Sequence, residues 1–173
     1  MFSKPQFTNK EIANLHQAYL EAVYEVYYCF RYSDRNKAYA KRGLESTDVA
    51  SQRRECLQTI RLFIDRFNPE LDLILKKYNC TTWTLITAFN PYSQHLSAAE
   101  NLLRHQSLIE YLEPLNLNIL NAVGRDKDGI WTPEQSIFVM EIELENAIAI
   151  GNKFQQNAIV FGELGTLGKL LWL

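Results

Sequence analysis

Two clusters of polar residues in the C-terminal two thirds of the chain have the side chains and spacing to do chemistry. The first runs Thr87-Ala88-Phe89-Asn90-Pro91-Tyr92-Ser93, and Asn101, Arg104 and His105 follow it on a segment that opens at Ser97. A strand that ends in an Asn-Pro turn beside a helix N-terminus gathers free backbone amides and side-chain donors, a setting suited to anions. Helical spacing lets Asn101, Arg104 and His105 share one face. The plainer reading is that Asn90 and Ser93 cap a turn and Asn101 satisfies a loop carbonyl.

The second cluster is Trp131-Thr132-Pro133-Glu134-Gln135-Ser136. Trp131 could serve as a lid or stacking platform, and Glu134 as a general acid or base or as a carboxylate partner for Arg104. The plainer reading has Trp131 closing a sheet end while Glu134 accepts backbone amides. Gln155, Gln156 and Asn157 add neutral hydrogen-bonding groups further on. Candidate ligand-binding residues are therefore Asn90, Ser93, Asn101, Arg104, Trp131, Ser136 and Gln156, with Glu134 the candidate catalytic group. They form one site only if the fold brings the clusters together.

Familiar catalytic and metal signatures fail on inspection. Asp126-Lys127-Asp128-Gly129 opens like a calcium loop, but its glycine comes too early and the closing glutamate is missing, so it reads as a turn. Gly162, Gly165 and Gly168 lack the lysine-serine pair of a phosphate loop and read as a flexible chain end. His16, His95 and His105 make no zinc-hydrolase pair, and no serine sits in a nucleophile elbow. Cys29, Cys56 and Cys80 are far apart and read as reduced, mostly buried small hydrophobes. No metal or cofactor is expected.

The net charge of -2 gives no overall pull towards nucleic acid or anionic membrane. Only the basic stretch from Ser33 to Glu55 is locally suited to nucleic acid, and its aromatics are sparse apart from Tyr32 and Tyr39. No apolar run is long enough to span a bilayer, and the N-terminus lacks the apolar core of a signal peptide. The expected location is the cytoplasm.

The elements that must position the clusters are readable in outline. Thr8 and Glu11 form a capping box that starts a helix over about 9–21. Tyr24 to Phe30 alternates like a strand, with a continued helix as the alternative, and Ile60 to Ile64 alternates in the same way. Asn68-Pro69 opens a helix that ends near Asn79. Beyond it come a strand (83–89), a helix capped by Ser97 and Glu100, a strand (117–123), a turn at Asp128-Gly129, a strand (137–142), a helix (144–154) and a strand (158–161). This β-α-β-β-α-β order predicts one α+β domain over 1–173, built on a ferredoxin-like split unit with both helices on one face of an antiparallel sheet. Trp83, Leu85, Leu102, Ile119, Val139, Ile148 and Ile159 are its expected buried layer. The 33–55 excursion, with a short helix after Thr47, should be the most mobile internal segment. The apolar end Leu170 to Leu173 should dock on its own chain, with a homodimer contact as the alternative.

The ordered combination of Thr87–Ser93, Glu100-Asn101 with Leu108, Gly124, Trp131–Ser136 and Phe154–Val160 resembles a bacterial family defined only as a domain of unknown function. The resemblance spans about Leu62 to Val160, with 33–55 as an insertion and Gln155 where glycine is more usual. It implies kinship without chemistry. From the residues alone, the leading expectation is a non-catalytic module with a polar cleft for a small ligand or a protein partner. The alternatives are a small enzyme acting on an anionic substrate through Glu134, and nucleic-acid binding through 33–55.

Overall fold

A computed structural model describes residues 4–28, 58–129 and 131–173. The excursion at 33–55, with its expected short helix, mobility and nucleic-acid contact, lies outside the described residues, as do Cys29 and Cys56. Helix α1 (Asn9–Leu20) begins at the expected capping box, with Thr8 and Glu11 satisfying each other's backbone groups. Strands β1 (Val23–Tyr28) and β2 (Gln58–Phe63) follow, so the Tyr24 to Phe30 run is extended at least to Tyr28 and does not continue the helix. Helix α2 (Pro69–Tyr78) starts on the Asn68 side-chain cap with Pro69 in its first turn, and stops where Asn79 turns left-handed.

The remaining elements are β3 (Thr82–Thr87), α3 (Ala98–Leu112), β4 (Asn118–Arg125), β5 (Glu134–Met140), α4 (Leu144–Lys153), β6 (Ala158–Glu163) and β7 (Lys169–Trp172). Among the described residues, seven strands form one antiparallel sheet in the order β2-β1-β4-β5-β3-β6-β7. The α+β class and the antiparallel sheet are as the sequence predicts. Within the sheet, β4, β5, β3 and β6 are adjacent, so the strand on each side of a helical crossover is separated from its parallel mate by one antiparallel strand.

Period-two alternation sorts the side chains between two layers. On one side Val26, Ile60, Leu62, Leu85, Leu120, Phe138 and Met140 pack with Leu71, Ile74 and Leu75 of α2. On the other, Ile86, Ile137, Val139, Ile159 and Phe161 pack with Leu108, Ile109 and Leu112 of α3 and with Ala147 and Ile150 of α4. The expected core residues Trp83, Leu85, Val139 and Ile159 are buried, and Ile119 and Ile148 are partly so. Leu102 is 51% exposed, because it flanks the α3 stripe set by Asn101, Leu108 and Leu112 and faces solvent.

The C-terminal glycines are not a flexible end. Gly162 and Gly168 are buried in β6 and just before β7, where they form a cradle for the Trp83 ring. The left-handed turn between those strands falls to Gly165, at φ +79°. β7 pairs with β6 of the same chain, which brings Leu170 and Leu171 onto the sheet. Trp172 reaches back to α1, where its Nε1 donates to His16 Nδ1 at 3.1 Å and its ring meets Tyr19 edge-on.

Candidate functional site

The first cluster sits where β3 runs out. Asn90, Tyr92 and Ser93 all take left-handed φ values, 44°, 52° and 58°, around a single 3-10 turn. For residues with a Cβ this conformation costs about 1–2 kcal/mol each, least for asparagine, so the surroundings must hold it. They do so from two directions. Asn101 exchanges hydrogen bonds with Asn90, accepting its backbone N–H at 2.8 Å and donating Nδ2 to its Oδ1 at 3.0 Å. The segment after α4 supplies the rest: the Gln155 carbonyl accepts from Tyr92 N at 2.7 Å, Gln156 Nε2 donates to the Phe89 carbonyl at 3.1 Å, and Asn157 Nδ2 donates to Ser93 Oγ at 2.9 Å. Gln155 itself is left-handed at φ 59°, which is why a glycine would be at home there.

The second cluster enters from β5, which begins at Glu134, three residues earlier than the alternation of apolar residues shows. Glu134 and Ser136 therefore lie on the same side of the sheet as Phe138 and Met140. Asn90 Nδ2 donates to Glu134 Oε1 at 2.7 Å, which joins the two clusters. The Asp126–Gly129 turn is tied by Asp126 Oδ1, which accepts the Trp131 backbone N–H at 2.9 Å. That bond brings the half-exposed Trp131 to the rim.

Between these clusters, β1 and α1 lies a cavity of about 470 Å³. Asn90, Ser93, Trp131, Glu134, Ser136 and Gln156 all line it. Asn101 does not, but being buried behind Asn90 it fixes that side chain. Arg104 stands apart. It belongs to α3, on the opposite side of the sheet from Glu134, and its Nε and Nη2 donate to the Ala88 and Phe154 carbonyls at 2.6 Å each. The expected Arg104–Glu134 pair does not form, because strand alternation turns Glu134 away from the helix that carries Arg104. His105 also faces the helical layer, edge-on to Phe89, where burial lowers its pKa.

Sequence reasoning missed several lining residues, and three of them bring polar rings to the site. Tyr19 of α1 and Tyr24 of β1 bring phenols to the cavity, and His95 an imidazole from the loop before α3. Tyr24 shows its inward direction in the alternation with Val26 and Tyr28, but nothing local reveals that β1 pairs with β4 beside Gly124. Burial pushes the pKa of both phenols up, far up for Tyr24, and the nearby Glu134 charge adds to the effect. The Glu134 pKa is raised by desolvation, against smaller lowering effects of the Asn90 hydrogen bond and His95.

A carboxyl whose folded pKa exceeds its ordinary value of 4.5 holds its proton more tightly when folded. Its destabilising effect is absent below that ordinary value, grows as pH rises through the folded pKa, and is complete above it. Glu134→Gln keeps an acceptor for Asn90 and removes the charge. It should raise the melting temperature at about pH 8, by roughly 2–4 °C per kcal/mol recovered, with the gap closing near pH 4. Paired thermal melts across that range check this, and a gap that widens on acidification contradicts it.

A curled antiparallel sheet, helices on both faces and a polar-rimmed cavity on the face away from α3 and α4 define an α+β domain with a concave, ligand-sized site. Residues 86–159, from within β3 to within β6, match a family described as "Protein of unknown function (DUF3293)". The resemblance read from the sequence to a family without an assigned function thus holds over both clusters, beginning at Ile86 where the sequence reading began at Leu62. No curated protein and no solved structure matches the chain.

Proposed function

We propose that this chain is a small-ligand-binding module whose site is the cavity bounded by Asn90, Trp131, Glu134 and the two phenols. The observation that carries this reading is the cavity's composition. Asn90, Glu134, Ser136 and Gln156 line it together with the apolar Leu85, Val160 and Leu170, and its volume of about 470 Å³ suits a small organic molecule. Both serine hydroxyls at hand are engaged, Ser93 Oγ by Asn157 and Tyr19, and Ser136 Oγ by the Glu134 carbonyl. Among the described residues no nucleophile stands beside a base, which favours binding over covalent catalysis. A fragment screen followed by two-dimensional NMR tests the reading. Hits should shift the amides of Asn90, Trp131 and Glu134, and fragments that bind only elsewhere on the surface overturn it.

A second reading, a small enzyme with Glu134 as general acid or base, is favoured by one observation: desolvation raises the Glu134 pKa. Glu134→Gln separates the two, since a module loses or gains affinity while an enzyme binds its substrate and ceases to turn it over. The β4-β5-β3-β6 order with α3 and α4 on one face supports a ferredoxin-like core. The free thiol of Cys80 supports a reducing, cytoplasmic setting.

A further inference from the structure

We infer that the cavity takes a small organic cation, an amine on an apolar body, with its ammonium group on the Glu134 carboxylate and its body against Tyr19, Tyr24 and Trp131. This rests on the ligand-binding reading and deepens it by naming the ligand's chemical class.

The charge around the cavity is the first reason. Arg125 lines the wall, but Glu25 claims its guanidinium at 3.0 Å and bonds Arg61 at 3.4 Å through its other oxygen. Among the described residues, Glu134 has a neutral hydrogen bond from Asn90 and no salt bridge. A desolvated carboxylate without a countercharge is costly, and a cation delivered by a ligand removes that cost in the bound state alone. An anion would meet Glu134 without help from Arg104, which lies on the far side of the sheet and spends two donors on carbonyls. The anionic ligand expected from the sequence depended on Arg104.

The second reason is the rest of the lining. Tyr19, Tyr24, Phe89 and Trp131 bring aromatic rings to the same space, and a cation is attracted to the face of such rings while its apolar substituent fills the volume. Both phenols keep their protons through the neutral range because burial raises their pKa, so they add hydrogen-bonding groups and no charge.

The titratable groups that line the cavity with Glu134 are Tyr19 from α1, Tyr24 from β1 and His95 from the loop before α3; Arg125 of β4 also lines it, but strand alternation turns its side chain to the other face, where it meets Glu25. Acidification neutralises Glu134, whose pKa desolvation already raises, and that change opposes a cation.

The test uses three probes of similar shape on the full chain: 2-phenylethylamine, 3-phenylpropionate and 2-phenylethanol, titrated by NMR. At about pH 8 the amine should bind at the cavity at least about tenfold more tightly than the alcohol, and the carboxylate more weakly than either. Glu134→Gln should bring the amine-to-alcohol ratio near one, and the parent's amine affinity should fall as pH falls. A carboxylate that binds best, or an amine preference that survives Glu134→Gln, overturns the inference and leaves the ligand-binding reading standing. If none of the three shifts the cavity resonances while screened fragments do, the class is again wrong and the module right. If neither probes nor fragments bind there, both fall.

Discussion

Replacing Gly162 by alanine is expected to lower the melting temperature sharply. A Cβ at that position would lie 2.6 Å from the Trp83 ring, and the ring also lies against Gly168 and is stacked on the buried Phe138 at 5.4 Å. Neither neighbour can give way cheaply, because Trp83 is 3% exposed and lies within β3, close to its start. Overpacking of a close-packed site costs typically about 1–3 kcal/mol and more where no neighbour can move. That converts to a loss of roughly 2–12 °C for a domain of this size. The same substitution in a Trp83→Phe background should cost clearly less, since the smaller ring leaves room for the methyl group. Thermal melts of the double-mutant set decide the matter. Equal penalties in the two backgrounds would mean that the clash is not with Trp83.

The second large effect is expected at Asn101. Its side chain is buried and makes the two bonds to Asn90, with a longer one from Nδ2 to the Leu96 carbonyl at 3.4 Å. Asn101→Ala strands the Asn90 N–H and removes one of two donors from Asn90 Oδ1, which keeps the Leu96 N–H at 3.1 Å, in a turn that already carries three left-handed residues. A stranded buried donor costs about 1–3 kcal/mol, and a loss of that size is expected. Asn90 is also the donor to Glu134, so the variant should move the Glu134 titration further upward as well. Carboxyl chemical shifts followed against pH provide the check. A destabilised protein with an unmoved Glu134 titration would show that Asn101 supports the turn without acting on the site.

The elements were legible where local chemistry sets them. Thr8 with Glu11, Ser97 with Glu100, and Asn68 with Pro69 each start a helix where the sequence places it, because a cap needs only residues within one turn. The joining of the two clusters was legible as well, since the β-α-β-β-α-β order brings the end of β3 beside the start of β5. What escaped depends on which side of the sheet each residue faces. Glu134 and Arg104 carry opposite charges and lie in neighbouring elements, yet the sheet stands between them. Counting back by twos from Phe138 gives the side for Glu134, but only once β5 is known to start that early. The glycine run near the end misled for a related reason. Glycine is equally the residue of a loose chain and of a surface against which a large ring must lie flat, and Trp83 is about eighty residues away in sequence.

Helix α1 contributes Leu15 and Tyr19 to the cavity wall, yet none of its residues is fully buried. It is held by a few discrete contacts, chiefly those of Trp172 with His16 and Tyr19 and the 3.3 Å contact of Tyr19 with Ser93. A segment attached in this way opens at a small fraction of the free energy needed to unfold the sheet. The consequence is one of timing. How fast a ligand enters and leaves will follow the rate at which this helix detaches and returns, while the affinity is set by groups on strands that stay in place. Amide hydrogens of residues 12–20 should therefore exchange far faster than those of Leu85 or Phe138, and a saturating amine should slow the first group without changing the second. Exchange in α1 as slow as in β3, measured on the free protein, would mean that the cavity opens by some other route.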